Sequence, residues 1–255
     1  MSISGQRPLG PVHRRFRSFA DSLWYLRMAV ACVVERPRWT DSESAGFNGQ
    51  KLRKRLFREL VDACAFDAIM ETGTCMGDTT GYMATVTGLP VYTCEINERF
   101  LGIARRRLAG LPDAGEVTFR LGDSRAFLRD LAATPLARQN VLVYLDAHWD
   151  GELPLVEELD IVCRGWQRFV VMIDDFQVPG DAGYAYADWG MPLNLAAIAP
   201  AVGEHDLVPF FPSAPSVEAG GSPPGCVVLA RRGQTADVLG ALPSLRTVQA
   251  KRSRQ

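Results

Sequence analysis

The stretch Glu71-Thr72-Gly73-Thr74-Cys75-Met76-Gly77-Asp78-Thr79-Thr80 decides how this chain folds. It follows the short apolar run Ala68-Ile69-Met70 and opens a segment of helical character. An acid followed by two spaced glycines, at a strand-to-helix turn, is a common way of holding a nucleotide-like ligand. Glycine lets backbone come close to the ligand. The first helical turn offers unpaired N–H groups to an anionic end.

Outward from this stretch, strands and helices alternate. Residues 68–72 read as a first strand and 79–86 as its helix. Strands are expected at 90–95, 117–121, 141–146, 169–174, 206–211 and 225–230, and helices at 51–64, 98–109, 125–131, 155–163 and 194–199. The runs 141–146 and 169–174 are almost wholly apolar and end in an acid, as buried parallel strands do. The pattern predicts an α/β fold, a doubly wound, mostly parallel sheet of seven strands with helices on both faces. Ligands of such sheets sit beyond the carboxyl ends of the strands. Glu71, Glu95, Asp123, Asp146 and Asp174 all fall at or just after predicted strand ends, so they should line one rim. Residues 1–47 read as an N-terminal helical extension, 48–232 as the α/β domain and 233–255 as a C-terminal tail. The Pro-, Gly- and Ser-rich segment 212–224 reads as a loop.

Composition narrows the classes. A chain of 255 residues with 47% apolar content can bury one sizeable core. A net charge of −1 gives no reason to expect nucleic acid. The 6 cysteines lack paired spacing, which points to reduced thiols in a cytoplasmic protein rather than a disulfide framework. The apolar run 19–34 is broken by Asp21 and Arg27, so no transmembrane segment is expected. It reads instead as a helix packing on the domain or on a second subunit of a homodimer, with a membrane-surface helix as the alternative. Lysine occurs only at positions 51, 54 and 251, which argues against pyridoxal chemistry and a Tyr/Lys proton relay. Asp78 stands where a P-loop needs lysine.

Glu71-x-Gly73-x-x-x-Gly77, the acid of Tyr92-Thr93-Cys94-Glu95-Ile96-Asn97, and Gly122-Asp123-Ser124 together resemble the cofactor motifs of class I S-adenosylmethionine-dependent methyltransferases. The likeness spans roughly residues 50–230. It implies a Rossmann-like methyltransferase fold and assigns roles. Glu95 would accept hydrogen bonds from both ribose hydroxyls. Gly73 and Gly77 would admit the methionine half, and Thr79 with the helix N-terminus would hold its carboxylate. Glu71 would face the ammonium, and Asp123, with Ser124 beside it, the adenine amino group. Each residue has a plainer reading as well: turn glycines, and helix caps at Asp123 and Glu95.

Val143-Tyr144-Leu145-Asp146-Ala147-His148-Trp149 and Ile173-Asp174-Asp175-Phe176-Gln177-Val178-Pro179-Gly180 resemble the metal-binding segments of catechol-type and macrocin-type O-methyltransferases. By that resemblance Asp146, Asp174 and Asp175 would ligate a metal. Clustered carboxylates repel, so protons or a cation must compensate, and an all-oxygen set suits Mg²⁺. The alternative is that Asp175 faces solvent, since adjacent strand residues face opposite sides. A metal touching the acceptor oxygen would lower its pKa. Asp146 and His148 are the catalytic candidates, with His148 as general base or as a hydrogen-bonding neighbour of the site. Trp149 would pack on adenine or fill core. The segment 176–192, with Tyr184, Tyr186 and Trp189, would form an acceptor-pocket wall, a lid or ordinary loop packing. The expected activity is S-adenosylmethionine-dependent, Mg²⁺-assisted methylation of a hydroxyl on a small molecule or glycan. A nicotinamide-dependent oxidoreductase and a non-catalytic binding module of the same fold are the alternatives.

Overall fold

In the computed structural model, which describes residues 46–111, 115–147, 153–187, 192–219 and 223–248, helix α1 (Lys51–Cys64) leads into strand β1 (Ala68–Thr72). There follow α2 (Asp78–Thr87), β2 (Val91–Glu95), α3 (Glu98–Leu108), β3 (Val117–Leu121), α4 (Ser124–Ala132) and β4 (Asn140–Leu145). Next come α5 (Leu155–Gly165), β5 (Arg168–Ile173), α6 (Leu195–Glu204), β6 (Leu207–Pro212), the short α7 (Ser216–Ala219), β7 (Val227–Arg231), α8 (Gln234–Gly240) and β8 (Leu245–Thr247). The chain divides into two units, Met1–Arg38 and Trp39–Gln255, and every described residue lies in the second. The expected N-terminal extension thus lies outside the described residues, apart from Gly46 and Phe47. Among the described residues no helix is long and apolar enough to cross a membrane, and the five described cysteines are free.

The strands form one sheet in the order β3-β2-β1-β4-β5-β7-β6-β8. The first five are parallel, while β7 runs antiparallel to both β5 and β6. The chain winds outward from β1 to β3, then returns to β4 on the other side of β1. The β1–β4 boundary is therefore the switch point at which such sheets open a crevice.

Period-two alternation sorts the core into two layers. On β4, Val141, Val143 and Leu145 join one cluster, which α4, α5 and α6 cover. Leu142 and Tyr144 join the other, with Leu56, Phe57 and Leu60 of α1 and Met83 of α2. Helix α1 forms because Leu56, Phe57 and Leu60 fall on one stripe. Asn97 starts α3 by accepting from the amides of Arg99 and Phe100, and three arginines in its last turn suit the dipole.

The structure differs from the sequence reading at the C-terminus. The sheet has eight strands rather than seven. The extra one comes from the residues read as a tail, because Leu245–Thr247 pairs antiparallel with β6 and Ala236, Leu239 and Leu245 are buried.

Candidate cofactor and active site

Backbone hydrogen bonds lock the strand ends into register along one rim. Asp174 N donates to Leu145 O (3.1 Å), Asp146 N to Thr72 O (3.0 Å), Gly73 N to Cys94 O (3.0 Å) and Gly122 N to Glu95 O (3.0 Å). Asp174, Asp146, Glu95 and Asp123 are thereby ordered along the edge of β5, β4, β2 and β3, with Glu71 one residue inside the end of β1. Glu71 is paired across the sheet with both Thr93 and Tyr144.

Glu71 is only 1% exposed. Its Oε2 accepts from Thr93 Oγ1 (2.6 Å) and from Thr80 Oγ1. Burial pushes this carboxyl up to about 7; the two hydroxyls pull against the shift and the Glu95 charge adds to it. Glu95 closes β2. Its Oε2 accepts from Cys75 N and its Oε1 from Asn97 N, both at 2.8 Å. Burial raises this carboxyl also, against the pull of those amides. A carboxylate has about four acceptor positions, so each Glu95 oxygen retains capacity for a ligand hydroxyl. Ile96, directly after it, is 74% exposed, an apolar surface beside Glu95 that the sequence reading did not single out.

The two glycines are needed for different reasons. Gly73 has φ +87°, and a Cβ there would lie 2.5 Å from Asp146 O, so it lets the β1 and β4 loops meet. Gly77 has φ +81° and ends against α3, where a Cβ would lie 3.0 Å from Leu108 Cδ1. It shapes the turn by approaching a helix. Asp78 then pairs with Arg107 of α3 (2.8 Å).

No family model matches the sequence, and no curated protein does. Solved structures do match. An O-methyltransferase from Bacillus cereus in complex with SAH aligns with a TM-score of 0.53 at 17% identity, over 80% of this chain and 88% of that one. TomG, an O-methyltransferase from Streptomyces achromogenes involved in tomaymycin synthesis and in complex with SAM, aligns at 0.51 and 17%, over 70% and 80%. Cofactor-bound Rv0187 from MTB aligns at 0.51 and 23%, over 90% and 100%. This chain has the class I methyltransferase fold. At these identities the likeness is one of architecture.

Within the methyltransferase fold, several expected site residues also hold the scaffold. Asp123 is the N-cap of α4: Oδ1 accepts from the amides of Arg125 (2.8 Å) and Ala126 (3.2 Å). The Arg125 guanidinium grips both its oxygens, and this hydrogen bonding above all lowers its pKa to about 2. Ser124 is buried in the first turn of α4. Thr79, in the first turn of α2, accepts from Phe47 N (3.1 Å). His148 and Trp149 lie outside the described residues, as does Trp189. Tyr184, expected in the acceptor wall, is buried, and its hydroxyl donates to Ala214 O (2.9 Å). Tyr186 is exposed.

The proposed metal set meets an unexpected partner. Asp174 is 2% exposed. Its Oδ1 accepts from Arg53 of α1, and its Oδ2 from the Tyr144 hydroxyl (2.5 Å). Burial alone would raise this carboxyl, but the Arg53 charge and the Tyr144 hydrogen bond outweigh it and hold the carboxyl below its usual value. Asp146 stands half-buried beside Asp174, Asp175 and Glu71. Asp175 adopts φ +48°, so the chain turns directly after β5 instead of continuing its alternation. Among the described residues, the one group of three whose ligand atoms close to within 4.8 Å is Asp160, Glu204 and His205. Arg164 already bridges that group through Asp160 (2.8 Å) and Glu204 (2.6 Å). Each oxygen of Asp174 already accepts one donor, one of them a buried cation, and Asp146, Asp174 and Asp175 are not among the described groups whose ligand atoms close to within 4.8 Å.

Sequence reasoning missed Arg53, Tyr144, Thr80 and Thr93. Arg53 left a visible signal. It lies three and four residues before Leu56 and Phe57, on the apolar stripe of α1, and a charge on a buried stripe implies a buried partner.

Proposed function

We propose that this chain is an S-adenosylmethionine-dependent O-methyltransferase acting on a hydroxyl of a small molecule or a sugar. The observation that carries the reading is Glu95: a carboxylate at the end of β2, oriented by two backbone amides, with acceptor capacity to spare and an exposed apolar neighbour. A vicinal diol donates two hydrogen bonds in that geometry, and an adenine ring can lie on Ile96. The methyltransferases of like fold that hold SAH and SAM support the same cofactor here.

In this reading Glu71 faces the methionine ammonium, the N-terminus of α2 with Thr79 faces its carboxylate, and Gly73 and Gly77 shape the loop between them. Asp123 and Ser124 border the adenine. The sulfonium methyl is already electrophilic, so the protein's work is alignment. The acceptor oxygen attacks the methyl carbon, the carbon–sulfur bond breaks onto sulfur, and the hydroxyl proton leaves for a base. His148 is the base in this reading, with Asp146 two residues before it at the rim.

Calorimetric titration with S-adenosylhomocysteine and with NAD⁺ tests the reading. S-adenosylhomocysteine should bind and NAD⁺ should not. Glu95→Ala should weaken S-adenosylhomocysteine at least about tenfold, since hydrogen bonds to a charged group contribute roughly 1.5–3 kcal/mol each. NAD⁺ binding in preference would favour the oxidoreductase alternative, and unchanged affinity in the variant would remove Glu95 from the site.

A further inference from the structure

We infer that Arg53 is a built-in cation for the acidic rim: its guanidinium takes the place beside Asp174 that the sequence assigned to a divalent ion. Glu71, Glu95, Asp146, Asp174 and Asp175 gather at one end of the sheet, and Asp146 feels the negative charges of Asp174, Asp175 and Glu71. Protons or a cation must compensate such a cluster, and a cation close by does so at any pH.

Helix α1 supplies one. The Arg53 and Asp174 side chains are 2% and 3% exposed. The same guanidinium donates through Nη2 to Pro224 O (2.8 Å), and Asp174 also accepts the Tyr144 hydroxyl. One planar cation thus joins the helix before the sheet, the end of β5 and the segment entering β7. Every described partner of Asp174 is a donor fixed in the protein. A guanidinium stays protonated at any pH at which the fold exists, so this counter-charge does not depend on ions in solution. A hard divalent ion, by contrast, needs several oxygen ligands in defined positions. To use Asp174 it would have to share a carboxylate whose charge the guanidinium already neutralises, or displace that guanidinium. Separating a buried pair of this kind leaves an uncompensated charge behind. Arg53 acts here as a positioning residue: it fixes the carboxylate next to Asp146 and holds the turn in which Asp175 takes its left-handed conformation.

The consequence is independent of methyl transfer and can be read without turnover. Mn²⁺, as an oxygen-seeking probe, is titrated into the full chain and followed by electron paramagnetic resonance of the free ion. The wild-type chain and Asp174→Asn should bind it equally weakly. Arg53→Gln, which removes the charge and frees Asp174, should tighten Mn²⁺ at least about tenfold, and Arg53→Gln combined with Asp174→Asn should lose that gain. Arg53→Lys should stay as weak as wild type. Tight wild-type binding that disappears in Asp174→Asn would overturn the inference, because Asp174 would then be a ligand. So would a folded Arg53→Gln chain whose affinity for Mn²⁺ is unchanged. If Arg53→Gln fails to fold, the wild-type titration with Arg53→Lys beside it decides.

Discussion

At the scale of single residues, the rim carboxylates are held in opposite electrostatic states. Asp174 is kept ionised by Arg53 and Tyr144, Asp123 by Arg125, and Glu71 sits in a pocket that favours its proton. Glu71 therefore makes stability depend on pH with a definite sign. Below its ordinary value of about 4.5 it is protonated in both folded and unfolded chains, and its contribution is fully present. As pH rises toward about 7 the unfolded chain releases this proton freely while the folded chain must ionise a buried group, so the contribution is lost. The difference is about 3 kcal/mol. Urea melts of wild type and Glu71→Gln at pH 5 and pH 8 check it. The glutamine variant should gain on wild type between the two pH values, and a constant gap would show that the carboxyl titrates normally. A cofactor ammonium at this site would favour the ionised form, so S-adenosylhomocysteine should bind more tightly as pH rises over the same interval.

At the scale of elements, the alternation of apolar runs and polar turns was enough to find the sheet up to β7. Strands β1 and β3 match the sequence reading to the residue, and β4 and β5 are displaced by one. Their acids are legible because a buried parallel strand tolerates a charge only where it ends. What could not be read is which side chains meet across elements. Thr80 and Thr93 reach Glu71 only after register places β2 beside β1, and Arg53 reaches Asp174 across 121 positions of sequence. Helix α1 is therefore a wall of the site, although the cofactor motifs begin only after it. Its Phe57 is fully buried, with ring centroids 5.3 Å from Phe47 and 6.0 Å from Tyr82. Phe57→Ala should cost roughly 3–5 kcal/mol. At roughly 2–4 °C per kcal/mol for a domain of this size, calorimetry should show Tm falling by about 6–20 °C. A fall of only about 1 °C would mean that α1 does not share the sheet's core.

At the scale of the whole molecule, the question is where the domain ends. The residues after β7 read as a tail in the sequence because β8 is only three residues long and contributes one apolar side chain, too little for any period-two signal. The folded chain uses those residues in three ways. Strand β8 covers the outer edge of β6, pairing Phe210 with Thr247 and Phe211 with Arg246. Leu239 of α8 and Leu245 enter the same core cluster as Phe57. Ser244 binds Glu59 of α1 through its amide (3.1 Å) and hydroxyl (2.7 Å), and Arg246 donates to Pro179 O (2.8 Å) in the segment after β5. Ending the chain after residue 232 would expose the edge of β6 and remove a brace from both α1 and the loop that follows Asp175. An uncovered edge strand is a template for pairing with other chains, and loss of the buried leucines costs several kcal/mol, on the order of 2–5 for each. The shortened chain should aggregate on expression or melt without a cooperative transition, read by size-exclusion chromatography and by circular dichroism on heating. Even if it stays soluble, its affinity for S-adenosylhomocysteine should fall, because α1 and the post-β5 turn would no longer be held against the rim. A shortened chain with the Tm and cofactor affinity of the full one would place the domain boundary at residue 232 after all and reduce β8 to an ornament of the edge.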